Sequence, residues 1–436
     1  MPLDWTSLAR EELAQRREEG VELPFGEEAA GNVRSEEDWE RFVSALERAP
    51  LRDGFPFQEP SGLDEIRAFR RSALHRYDLS KLWPEYDDRV LGGWLGRCAG
   101  CLLGKPVEGW SHERIRAYLD RAGLERLEGY LPPLESAPPE LELSEAAKGW
   151  LLGRTRWMPR DDDIDYTIIG LYILERYGTG FSSDDVADSW LSLLPYYKVY
   201  TAERAAYRNL VAGLRPPCSA GYRNPYREWI GAQIRADIWG YVAPGDPSFA
   251  AELAWRDARV SHVKNGIYGA MFVAATIAAA FCCDDPLEAV LVGLGEIPDQ
   301  SRLAEAIRRC LRLHREGKSW EEAFSEVRRV YGHYSWVHAI NNTCLVVLAL
   351  LYGEGDFGKT VGLAVYGGWD TDCNGATSGS ILGVMLGSEG IGASWVDPLG
   401  DRVQSCVAGF DGALISDLAR RTAQAGRIGA REVRPA

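Results

Sequence analysis

The sequence predicts an all-α protein, and three observations carry that prediction. Apolar residues recur at helical spacing in one segment after another from Asp88 onward. Alternating patterns of the kind that build half-buried strands are scarce. No repeat of solenoid length is visible, so the helices belong to one domain rather than an array.

The elements follow in chain order. Residues 1–88 are rich in charge, with two proline-containing loops ("ELPFGEE", "GFPFQEPSG") and short helical pieces. In "SEEDWERFVSALERA", Ser35 is placed to cap a helix, and Trp39, Phe42, Val43 and Leu46 recur at helical spacing. This part reads as an N-terminal extension or small helical cap, and residues 89–436 as the main helical domain. The first helix of that domain, "RVLGGWLGRCAGCLLGKPVEG", carries glycines at 92, 96, 100 and 104. Each costs a helix about 1 kcal/mol relative to alanine. Four on one face imply that another helix or a ligand packs very close to it. "DIDYTIIGLYILERYG" is a second helix, with Gly178 as its stop. "NGIYGAMFVAATIAAAF", "SRLAEAIRRCLRLHREG", "SWEEAFSEVRRVYG", "NNTCLVVLALLYGEG" and "GATSGSILGVMLG" continue the series.

Composition bounds the function. The 436 residues are 46% apolar and 26% charged, an ordinary globular balance. A formal net charge of −15 argues against nucleic-acid binding, which needs clustered Lys and Arg. The nine cysteines form no evenly spaced framework, so a reduced, cytoplasmic setting is expected. Cys98 and Cys101 make a C-x-x-C, but no second pair or flanking strand supports a zinc or redox site. The N-terminus is charged and lacks the apolar core of a secretory signal. The run "GIYGAMFVAATIAAAFCC" reaches only the lower length limit of a membrane span. Its alanine and glycine content suits a close-packed core helix, so no membrane partner is expected.

Two acidic clusters stand out. Asp161, Asp162 and Asp163 are contiguous, with Asp165 close behind, at the start of an apolar helix. One aspartate there would cap the helix and oppose its dipole. Three repel one another unless a cation sits among them. Asp370 and Asp372 open the small-residue helix in "YGGWDTDCNGATSGSILGVMLG", flanked by glycines that allow close approach. Oxygen-only ligands of this kind suit Mg²⁺, Mn²⁺ or Ca²⁺ rather than zinc. Glu108 follows the end of the glycine-lined helix.

Together these features are similar to the ADP-ribosylglycohydrolase family. The order is a glycine-spaced helix ending G-x-x-x-G-x-P-x-E, an aspartate cluster opening an apolar helix, and a late G-G-(x)-D-T-D before a small-residue helix. "IGAQIRADIWG" resembles the family's N-G-x-x-M-R-x-x-P-x-G loop, and "RVSHVKNGIYGAMFVAA" its T-H segment. The resemblance runs from about Arg89 to the C-terminus. It implies a compact, largely orthogonal multi-helix bundle holding two Mg²⁺ ions, with Mn²⁺ as a substitute. Asp161, Asp162 and Asp163 then fall on the family's first metal motif, and Asp370 and Asp372 on its D-T-D. Glu108 falls on a glutamate acting near the metals, and His262 on the T-H histidine.

The chain departs from the pattern at several places. Asp161 stands where the family has threonine, Cys101 where aspartate is usual, and Cys373 where a hydroxyl residue is expected. Trp369 is inserted before Asp370, Ile230 replaces the loop asparagine, and Asp237–Ile238 replaces the stretch ending in proline. These departures imply a retained metal site and an altered substrate pocket.

The resemblance implies hydrolysis of a glycosidic bond at a ribose anomeric carbon, through an oxocarbenium-like transition state. Asp162 or Glu108 would take the proton of the attacking water. His262, with Asn265, Tyr268 and Asn374 beside glycines, is a candidate substrate contact. The substrate is an ADP-ribosylated protein or, as a rival, a small ribosyl or other N-glycoside. A third alternative is a non-catalytic ADP-ribosyl-binding or structural protein, like the crystallin relatives, which would predict eroded metal ligands. No P-loop, H-E-x-x-H or G-x-S-x-G motif is present.

Overall fold

The structure, a computed structural model, describes residues 4–71, 77, 79 and 82–433. Among them no β-strand forms, only isolated bridges. Among the described residues, no helix is long and apolar enough to cross a membrane.

The N-terminal segment opens with α1 (Trp5–Glu18) and α2 (Glu36–Arg48). Asp4 and Ser35 cap them through side-chain oxygens that accept backbone N–H groups, as aspartate and serine do at such positions. Leu8, Leu13, Trp39, Phe42 and Leu46 pack into a small core of their own. The rest of the chain builds a much larger core around α3 (Tyr86–Gly104), α4 (Asp162–Tyr177), α5 (Lys264–Ala280), α6 (Arg302–Arg315), α7 (Ala339–Tyr352), α8 (Thr371–Leu386) and α9 (Ile415–Val433). Helices α5 and α7 are buried on all sides for most of their length, which explains their unbroken apolar sequences. The span-like run of small residues is therefore a core helix.

The glycines of α3 meet a second helix, not a ligand. A Cβ on Gly96 would lie 2.1 Å from the carbonyl oxygen of Gly379, and one on Gly100 would lie 1.9 Å from that of Gly375. At Gly92 and Gly104 the obstacles are the carbonyls of Gly383 and Thr371, each at 2.2 Å. Helices α3 and α8 thus run antiparallel, backbone against backbone. The seam sets the end of α3 beside the start of α8, and Thr371 Oγ1 donates to the Gly104 carbonyl at 2.8 Å. Across α3, Trp94 Nε1 donates to Thr422 Oγ1 of α9 at 3.1 Å.

The N-terminal segment meets this body through buried charge. Arg227 bonds Glu12 at 2.8 Å and Glu19 at 2.9 Å, while Arg302 bonds both Glu59 and Glu228 at 2.7 Å. Gln15 Nε2 donates to Glu228 at 2.8 Å. A guanidinium lies against each of the four carboxylates, the arrangement that a buried ion needs.

Candidate active site

Three helix ends converge. The chain leaves α3 through a short turn, Lys105–Val107, and reaches Glu108. Helix α4 starts at the Asp161–Asp163 cluster, and α8 at Asp370 and Asp372. All five aspartates and Glu108 line a single cavity of about 400 Å³. Its far wall is the loop bearing Ile230 and Gly231, tied to Val337 by the Ile230 N–H donating to the Val337 carbonyl at 2.9 Å.

The aspartates divide their work. Asp161 is the N-cap of α4, and its Oδ1 accepts from Asp163 N at 3.0 Å. Its Oδ2 accepts from the ammonium of Lys105. Asp163 is fully committed: Oδ1 faces Arg97 at 3.3 Å, and Oδ2 accepts from Cys373 Sγ at 3.2 Å. Asp370 occupies the cap position of α8 but makes no capping bond with its side chain. Asp372 Oδ1 is buried and has no hydrogen-bond partner. Asp162 sits at the rim, its side chain 29% exposed.

Crowding shows in the proton affinities. Burial and then Asp161 push Asp162 up to about 8. Burial and the same neighbour push Asp372 up to about 6. Asp163 and Asp370 are driven well above the usual carboxylate range by burial, each with a nearby aspartate adding to it. Glu108 is raised mainly by the charge of Asp372; it stands on the exposed rim, where water softens the effect. Asp161 alone is lowered: burial opposes ionisation, but Lys105 outweighs it.

The other candidates lie elsewhere. His262 is fully buried, its Nδ1 against Ser261 Oγ at 2.8 Å. Asn265 donates its side-chain amide to Glu228 at 2.9 Å, and the Tyr268 hydroxyl donates to the Pro60 carbonyl. Asn374 donates to Asn342 Oδ1 at 2.8 Å, and that same oxygen accepts from Asp370 N at 3.2 Å. None of these four side chains lines the acidic cavity. The altered loop divides likewise. Ile230 does face the cavity, whereas Asp237 pairs with buried Arg97 at 2.9 Å and Ile238 packs over Gly170.

Sequence reading passed over Lys105 and Arg160, which also line the cavity. Both were visible as charges beside the acidic motifs. Arg160 holds Asp165 at 2.7 Å and donates to the Lys198 carbonyl at 2.7 Å.

The residues fit a divalent cation. Asp370, Asp372 and Cys373 bring ligand atoms within 4.8 Å of one another, as do Cys101, Asp161, Asp163 and Asp372. An unpartnered buried carboxylate oxygen on Asp372 is the feature such an ion would satisfy.

The model of the ADP-ribosylglycohydrolase family matches residues 82–428, most of the chain. The chain belongs to the ADP-ribosylglycohydrolase family. Members are metal-dependent enzymes that hydrolyse glycosidic bonds, and the all-α architecture agrees. Among solved structures, an ADP-ribosylglycohydrolase-related protein complex is similar at 21% identity, over 79% of this chain and 99% of the other, with a TM-score of 0.49. A comparison with curated proteins gave no match.

Proposed function

We propose that this ADP-ribosylglycohydrolase family member uses Mg²⁺ to hydrolyse the bond between a ribose anomeric carbon and a protein side chain, releasing ADP-ribose. The observation that carries this reading is the meeting of all five aspartates and Glu108 in one cavity, at three helix ends. A divalent cation bound there supplies Lewis acidity and a grip on the ribose hydroxyls. Asp370 and Asp372 hold and orient it. Asp162 at the rim, or Glu108 opposite, accepts the proton of the attacking water. The Ile230 and Val337 wall screens the reacting carbon from bulk water.

A second reading, a small riboside or other N-glycoside, has its own support. A diphosphate calls for free cationic side chains, yet the two that line the cavity, Lys105 and Arg160, are both spent on carboxylates. The deciding experiment is a mass-spectrometric assay with an ADP-ribosyl-arginine peptide, in Mg²⁺ and in chelator. Metal-dependent release of ADP-ribose is the expected result. No release from protein that still binds Mg²⁺ would overturn the protein-substrate reading and turn attention to a panel of ribosides.

A further inference from the structure

We infer that Lys105 occupies one of the two cation positions in the acidic cavity, so that this enzyme binds a single divalent ion. The inference rests on the metal-site reading above and specifies its stoichiometry. The two ligand groups of the cavity differ in what they still offer. In the group of Cys101, Asp161, Asp163 and Asp372, both Asp161 oxygens are taken, one by the Asp163 amide and the other by the Lys105 ammonium. Both Asp163 oxygens are taken as well, by Arg97 and Cys373. Cys101 contributes sulfur, a poor ligand for a hard cation. Each Asp161 and Asp163 oxygen thus already faces a donor, whereas Asp372 keeps a buried oxygen with none.

The group of Asp370, Asp372 and Cys373 is different. Asp372 keeps an unpartnered buried oxygen, and Asp162 and Glu108 face the same cavity. An ion at that end has carboxylates available and space for water or substrate oxygens, as Mg²⁺ sites require.

Lys105 is held where it is. Its side chain is 11% exposed and its ammonium lies 4.7 Å from the ring centre of Trp150. The turn that carries it is anchored by the α3–α8 seam at Gly104. Asp161 carries the charge that the ammonium neutralises, and Cys101 offers the same end only a thiol. A fixed ammonium also repels a divalent ion that approaches it.

The test counts metal directly on the full chain. Protein stripped with chelator is loaded with Mn²⁺, desalted and analysed by elemental mass spectrometry and electron paramagnetic resonance. The wild type is expected to hold about one ion per chain with an uncoupled signal, and Lys105→Met about two with spin coupling, as adjacent ions in a carboxylate site show. Lys105→Arg, which keeps a cation, should stay near one. Two coupled ions in the wild type, or no gain in a folded Lys105→Met, would overturn the inference and leave the proposed hydrolysis standing. No ion in any variant would overturn both. If Lys105→Met does not fold, the wild-type count alone decides.

Discussion

Two clusters of buried carboxylates are joined by the short stretch from Glu228 to Ile230, and they are treated in opposite ways. At the N-terminal interface, Glu12, Glu19, Glu59 and Glu228 each meet a guanidinium from Arg227 or Arg302. Burial works against Glu19, but Arg227 and Lys264 win, and its carboxyl is held at about 2. Beyond Glu228, the chain turns through Ile230 and Gly231 into the wall of the acidic cavity. There five aspartates share Lys105, Arg160 and Arg97, and most are pushed up rather than down. One cluster carries its own cations and fastens two parts of the chain. The other is left short of positive charge, the condition that recruits an ion from solution. Burying a carboxylate is thus neutral as to purpose; the supply of counter-charge separates a fastening from a reaction site.

The largest effects are expected from removing carboxylates of the acidic cavity. Asp372→Ala should abolish hydrolysis together with metal retention. Asp162→Asn should cost about 10²–10⁴-fold in kcat if it is the proton acceptor. Steady-state kinetics and metal analysis on the same samples check both, and near-normal turnover in Asp372→Ala would remove the metal site from the mechanism.

The next effect belongs to the interface. Arg302→Met leaves Glu228 and Glu59 buried without their cation, which should cost about 3–5 kcal/mol in denaturant unfolding. Asp372→Asn in metal-free protein should be neutral or stabilising, because it relieves repulsion. If both variants lose stability equally, the two clusters are not different in kind.

The smallest effect is the pH response, and its sign differs between the clusters. Glu19 has its folded value below the ordinary one, so its contribution is present above about pH 4.5 and fades as pH falls through about 2. Asp372 and Asp162 have raised folded values, so metal-free protein is favoured below the ordinary carboxylate range. That contribution is lost as pH climbs through about 6 and then about 8. Glu18, raised to about 8 chiefly by burial, titrates in the same window at the interface. Thermal unfolding of the Glu18→Gln variant should therefore still decline from pH 5 to 8 without metal. Mg²⁺ at about 100-fold its Kd should restore about 2.7 kcal/mol, and more of it at the alkaline end. A flat profile without metal would mean that the aspartates do not repel.

Much of the architecture was legible because it is local. Helical spacing marks α2 to α8, Ser35 announces the start of α2, and the α3 glycines announce a close neighbour. The five aspartates were legible as a set because mutual repulsion gives contiguous acids no stable reason to gather. What escaped were partners far apart in sequence. Arg227 is more than 200 residues from Glu12, and nothing local to either predicts the bond. Asp237 read as an altered pocket residue, yet it is the buried partner of Arg97, itself hidden among glycines. Lys105 was passed over, because its role depends on Asp161 reaching it across 56 residues.

The glycine seam has a consequence for how this sequence can vary over generations. At Gly92, Gly96, Gly100 and Gly104 even one added methyl group meets backbone, which cannot swing aside as a side chain can. The gentlest mutation at any of them forces two helices apart. Because each helix ends in the cavity, a wedge at Gly92, about 18 Å along α3 from Gly104, widens the distance between Lys105 and Asp372 as a lever would. Drift is therefore closed off along a stripe of residues that does not line the cavity, and inheritance of the cavity's spacing rests on positions with no side chain to inherit.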